Sequence, residues 1–109
     1  MSNVFDDRAV LLKIYVEENA VKDGQKTAEW IACRACEMSM AGASVYRGIG
    51  GFYANEPITS PEFFNFHLSR PLTIEIVDQP EKIEKFAAFL KEEVTGLLMC
   101  RFPVEVCIC

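Results

Sequence analysis

The sequence predicts an α+β domain of order β-α-β-β-α-β, the ferredoxin-like split βαβ arrangement. In it a four-stranded antiparallel sheet carries two helices on one face. Three observations lead there. Residues 10–17 and 72–77 read as strands, the first with strict two-residue alternation. Residues 27–40 and 80–94 repeat apolar side chains at three- and four-residue spacing, the mark of amphipathic helices. Two further β-prone segments, 43–52 and 97–109, follow the two helical ones.

In the first strand Val10, Leu12, Ile14 and Val16 share one face, and Leu11, Lys13 and Tyr15 the other. Residues 18–26 are polar, contain Gly24, and read as a loop. Thr27 is the expected N-cap of the first helix, whose core stripe is Ala28, Ile31, Ala35 and Met38, and Ala41-Gly42 ends it. The second strand carries Gly48, Gly50 and Gly51, which suggest a bulge or a close backbone approach. Pro57 and Pro61 mark the loop that follows, and Pro71 opens the third strand. Asp78 and Glu81 have capping-box spacing around Pro80 at the start of the second helix. That helix turns Ile83, Phe86, Ala87, Leu90 and Val94 inward, and Thr95-Gly96 stops it. Pro103 restricts the last strand to an edge or a bulge.

The 109 residues form one expected domain, 1–109, half hydrophobic and a quarter charged, with a formal net charge of −5. The acidic balance argues against nucleic-acid and anionic-membrane binding, which need a basic footprint. No apolar run is long enough to span a bilayer, and residues 1–8 are acidic where an export signal would be basic and then apolar. A cytoplasmic protein is therefore expected. In such a fold the sheet face away from the helices carries Leu11, Tyr15, Tyr46 and Val77 among the polar Lys13, Thr73 and Glu75. Apolar groups in that position predict a homo-oligomer packed sheet against sheet.

The block Ala41-Gly42-Ala43-Ser44-Val45-Tyr46-Arg47-Gly48-Ile49-Gly50-Gly51-Phe52 resembles the PII-like signalling proteins, a family grouped structurally with PII and CutA. Residues 72–78 and 80–86 agree, and the resemblance runs from about Leu12 to Val106. It implies a non-enzymatic, regulatory homotrimer whose inter-subunit clefts hold an adenine nucleotide (ATP, ADP or AMP). It also implies a long loop that docks a partner protein, often a membrane transporter. On this chain the implied ligand-binding residues are Arg47, Gly48, Gly50, Gly51 and Phe52 at the end of the second strand, Glu75 and Val77 on the third, and Lys26 before the first helix. Glycines there let backbone N–H groups approach a phosphate, and Arg47 supplies charge. The implied partner loop is 53–70, with Phe63, Phe64, Phe66 and His67 as its distinctive residues. An inter-subunit strand is the other role open to the three phenylalanines. The chain departs from the family's usual pattern at Gly51-Phe52-Tyr53, Thr95-Gly96-Leu97 and Gly24-Gln25-Lys26.

The five cysteines fall outside that resemblance. Cys33 and Cys36 form a Cys-x-x-Cys within the first helix, where Met40 continues the same face, and Cys107 and Cys109 share a face of the last strand. Soft sulfur ligands so placed suit Cu(I) or Zn(II), and a dithiol is also a redox group. A thiol-based metal-binding or redox-responsive protein on a CutA-like scaffold is thus the alternative, against the plainer reading of cysteine as a small hydrophobe. A single histidine excludes a Ser/His/Asp or His-rich site within one subunit, and Glu29, Glu37, Glu92 and Glu93 read as solvated helix faces. No constellation points to an enzyme.

Overall fold

The structure, a computed structural model, describes residues 8–48 and 70–107. Its elements are β1 (Arg8–Glu17), β2 (Val21–Lys22), β3 (Gln25–Lys26), α1 (Thr27–Glu37), β4 (Ala43–Arg47), β5 (Pro71–Asp78), α2 (Pro80–Glu93) and β6 (Leu98–Glu105). The four long strands form one antiparallel sheet in the order β4-β5-β1-β6. This is the split βαβ topology that the element order predicts, with both helices on one face.

Period-two patterning sets the register of the central pair. Leu12 lies opposite Ile76, Ile14 opposite Ile74 and Val16 opposite Leu72, all buried. Onto this face α1 packs Ala28, Trp30, Ile31 and Ala35, and α2 packs Ile83, Phe86, Ala87 and Leu90. Each large side chain buried here contributes about 1.5–3 kcal/mol. Trp30, which the apolar stripe omits, is buried and stacks on Phe89 of α2 with ring centroids 5.9 Å apart. Met38, expected in the stripe, is instead the exposed C-cap of α1.

The opposite face carries a row of Val77, Leu11 and Phe102, a row of Ser44, Glu75, Lys13 and Cys100, and a row of Tyr46, Thr73, Tyr15 and Leu98. Tyr46, Leu98 and Phe102 are exposed large hydrophobic residues, and Lys13 pairs with Glu75 at 3.7 Å between them. β4 and β6 are the edges of this sheet, each paired with one strand only, and Pro103 sits on the β6 edge, one of the two places its missing N–H allows.

The ends of the elements differ from the sequence expectations, each for a local reason. Residues 18–26 are not a simple loop: β2 and β3 form a hairpin around Asp23-Gly24. Both turn residues have positive φ (52° and 78°), the geometry of a two-residue type I′ turn. Thr27 is not a cap but the first residue of α1; Lys26 is the N-cap, without a side-chain capping bond, and the Thr27 N–H donates to the Ala20 carbonyl at 2.8 Å. At the other end α1 stops at Glu37, three residues before Met40. Ser39 takes a left-handed φ of 59°, its N–H donates to the Cys36 carbonyl, and the Met40 N–H donates to the Ala35 carbonyl. That is a Schellman motif, with serine where glycine is usual.

Asp78 is not the cap of α2 either. Gln79 takes that position, without a side-chain capping bond, and the Asp78 carboxylate is buried at the end of β5. It accepts the N–H of Gln79 at 2.7 Å and that of Ala41 at 2.9 Å, and it pairs with Lys82 at 3.3 Å. Lys82 in turn donates to the Ser39 carbonyl. One carboxylate therefore ties the α1–β4 turn, the end of β5 and the first turn of α2. Asp78→Ala leaves the Ala41 N–H without its acceptor and is expected to lower stability by about 3 kcal/mol. Asp78→Asn, which keeps one acceptor, should lose less. Urea denaturation of the two variants measures both.

Candidate functional site

Three of the residues singled out for ligand binding, Lys26, Arg47 and Gly48, lie at one end of the sheet. There β1 ends at Glu17, β4 ends at Arg47, β5 begins at Pro71, α1 begins and α2 ends. The chain leaves the described residues at Gly48 and re-enters them at Arg70, both at this end. The Gly48 N–H donates to the Pro71 carbonyl at 2.8 Å, and the Glu18 N–H donates to the Arg70 carbonyl at 2.9 Å.

On the helix side of edge strand β4 this end opens into a groove of about 430 Å³. Its apolar wall is Ala28 and Ala32 of α1, Val45 of β4 and Leu72 of β5. Along this groove α1 sets the small side chains of Ala28 and Ala32 toward the edge strand, and Val45 is 48% exposed. Arg47 and Lys26 stand at its rim with Glu18 and Glu29. Arg47 Nη2 is 2.6 Å from Glu18 Oε2, and Lys26 Nζ donates to Asn19 Oδ1 at 3.3 Å. An apolar slot beside two cations has the chemistry to take a flat apolar ring joined to an anionic group. A second groove, of about 360 Å³, lies at the same end between Thr27, Tyr15 and the Thr95-Gly96 turn.

The structure brings Lys26, Arg47 and Gly48 together. It does not bring Glu75 and Val77 to them, because the cross-strand register puts both on the open face, opposite Lys13 and Leu11. Gly50, Gly51, Phe52, Phe63, Phe64, Phe66 and His67 lie outside the described residues. Sequence reasoning missed Glu18, Ala28, Ala32 and Val45. Glu18 follows a strand and meets its partner 29 positions away, so no local spacing signals it; Ala28 reads as core, and Ala32 falls outside the apolar stripe.

The sulfur residues are also dispersed. Cys33 and Cys36 are both exposed on α1, as their spacing predicts. Met40 does not continue their face, because the Schellman turn carries it off the helix and packs it against the core. Cys107 lies beyond the end of β6 rather than on it, and Cys109 lies outside the described residues. Among the described residues no group of three or more His, Cys, Asp or Glu side chains is placed to hold a metal ion, and no helix is long and apolar enough to cross a membrane.

A sheet of this order, covered by two helices on one face and grooved where β4 ends, is the PII-like fold. The chain superposes with a TM-score of 0.63 on a protein assigned to PII-like signalling from Thermus thermophilus, at 14% identity, covering 92% of this chain and 90% of that one. Two structures of CPII from Thiomonas intermedia K12 match similarly. The one bound to ADP, AMP and acetate gives a TM-score of 0.64 at 12% identity, over 94% of this chain and 91% of that one. The one bound to ADP and bicarbonate gives 0.65 at 11%, over 91% and 88%. At such identities the likeness is one of fold. Family membership comes from sequence: residues 9–106 match the DUF190 family (Uncharacterized ACR, COG1993), and the chain belongs to it. A UPF0166 protein of Aquifex aeolicus (strain VF5) is 32% identical over 88 residues, 81% of this chain and 84% of that protein.

Gly48 supplies a test of how tightly this end is built. A Cβ there would lie 2.9 Å from Cγ of the rigid Pro71 ring, whereas one on Gly42 meets nothing within 4 Å. Gly48→Ala is expected to cost about 1–3 kcal/mol by overpacking. Gly42→Ala should be close to neutral, and thermal unfolding of the pair distinguishes them.

Proposed function

We propose that this chain is a non-enzymatic PII-like regulatory protein, a homotrimer that binds an adenine nucleotide (ATP, ADP or AMP) at the Arg47 groove. The observation that carries the proposal is the apolar slot of Ala28, Ala32 and Val45 with Arg47 and Lys26 at its rim. The ADP- and AMP-bound CPII structures of the same fold support that choice of ligand. The apolar open face supports assembly, and the trimer is the form that the PII resemblance implies. Assembly also bears on the site. Glu75 and Val77 face away from the groove, so one ligand reaches both groups only where the open face of one copy borders the groove of another.

Signalling follows from where the groove lies. Residues 49–69 leave and return at its rim, and Gly48 and Arg70 are bonded to Pro71 and Glu18. A ligand that draws Arg47 away from Glu18 alters the base of that segment, so loop states that differ in this contact differ in ligand affinity. The loop 53–70 then presents one surface or another to a partner protein, with a membrane transporter the kind of target the resemblance implies. The Arg47 side of the Arg47–Glu18 pair is 57% exposed, so solvent screens the pair to about 1 kcal/mol and a phosphate displaces Glu18 at little cost.

Calorimetric titration of the full chain with ATP, ADP and AMP tests the reading. Binding of at least one is expected. Arg47→Ala should weaken it by about tenfold or more, the loss of one charge-assisted hydrogen bond. Glu18→Gln, which frees Arg47 of its internal competitor, should tighten it. Absence of binding by all three nucleotides at millimolar concentration would remove the nucleotide from the proposal.

A further inference from the structure

We propose that Cys33 and Cys36 form a two-coordinate site for Cu(I) on the exposed face of α1, one turn along the helix from the groove residues Glu29 and Ala32. Both thiols are exposed, and the helix runs unbroken through them, from Thr27 to Glu37. Residues three apart on an intact helix have Cβ atoms about 5–6 Å apart, on one face. A disulfide needs about 3.5–4.5 Å between those atoms, so the unbroken helix disfavours one. A metal bridge fits better. Two metal–sulfur bonds of about 2.3 Å, set in line, span about 4.6 Å between sulfurs, which is within reach of two Cβ–Sγ bonds leaning together.

The number of donors selects the ion. A structural zinc site takes four ligands. Among the described residues no third His, Cys, Asp or Glu joins the pair, and Met40 is turned into the core. Cys100 is on the opposite side of the sheet from α1, in register with Lys13. Thiolate ligands suit Cu(I), zinc and iron–sulfur clusters, and of these the soft monovalent Cu(I) fits two thiolates to which no described residue adds a third donor. A second contact orients the pair. Gln25 Nε2 donates to Cys33 Sγ at 3.8 Å, reaching α1 from the hairpin that the Asp23-Gly24 turn holds. An amide N–H on a ligating sulfur fixes its direction, as outer ligand partners do in metal sites. Uptake exchanges protons only: one Cu(I) replaces the two thiol protons, giving a bis-thiolate of charge −1 and two released protons, with no change of oxidation state.

The test is anaerobic competition for Cu(I) between the reduced full chain and the chromophoric chelator bicinchoninate, with X-ray absorption on the loaded protein. The expected result is one Cu(I) per chain in a two-sulfur environment. It should be retained by Cys107→Ser/Cys109→Ser and weakened by more than about 100-fold in Cys33→Ser and in Cys36→Ser, beyond the loss of an outer ligand partner. These are exposed positions, so circular dichroism should report an unchanged fold. Failure of the wild-type chain to take Cu(I) from the chelator would overturn the proposal. So would uptake that survives in Cys33→Ser/Cys36→Ser or vanishes in Cys107→Ser/Cys109→Ser.

Discussion

The register of β1 against β5 is the constraint on which the rest depends. With Leu12 opposite Ile76, Ile14 opposite Ile74 and Val16 opposite Leu72, every second residue of the central strands points at the helices and becomes the core. A slip of one position would turn Lys13 and Glu75 into that core, a cost no packing could offset. The same register commits Leu11, Val77, Tyr15 and their neighbours to the other face, where neither helix reaches. It also brings the ends of β1, β4 and β5 level, so that Glu18, Arg47 and Pro71 meet beside the start of α1.

Elements whose cause is periodic were legible in the sequence. The alternation of β1 from Leu11 to Glu17 and the Ile83-Phe86-Ala87-Leu90 stripe of α2 report burial directly, because each position's environment repeats with the geometry of the element. What escaped has causes of another kind. The hairpin rests on two residues, Asp23-Gly24, in a stretch whose polarity reads as a loop. The end of α1 rests on Ser39 adopting a conformation that sequence patterns assign to glycine, and that turn alone moved Met40 from the cysteine face into the core. Asp78 has the spacing of a cap yet works as a buried tie, since its partners Ala41 and Lys82 come together only in three dimensions.

The candidate site was legible by residue and not by shape. Lys26, Arg47 and Gly48 could be singled out one at a time, but the groove they border is a consequence of what α1 lacks. Ala28 and Ala32 are ordinary helix residues until they are seen opposite an edge strand, where missing volume becomes a slot. The placement of Glu75 and Val77 on the far face is likewise a matter of register, and it changes the nature of the site. A ligand that needs both groups requires two copies of the chain, so binding and assembly belong to one account in the proposed function. The exposed dithiol of α1 is on the helix side of the sheet, away from the open face, one turn beyond the groove residues Glu29 and Ala32.

The measurement that bears most directly on this account is native mass spectrometry of the full chain with ADP added across a range of protein concentrations. The account predicts a trimer carrying up to three nucleotides, with binding lost as dilution dissociates it. Nucleotide bound with undiminished affinity to the isolated monomer, or a stable trimer that takes none, would contradict it.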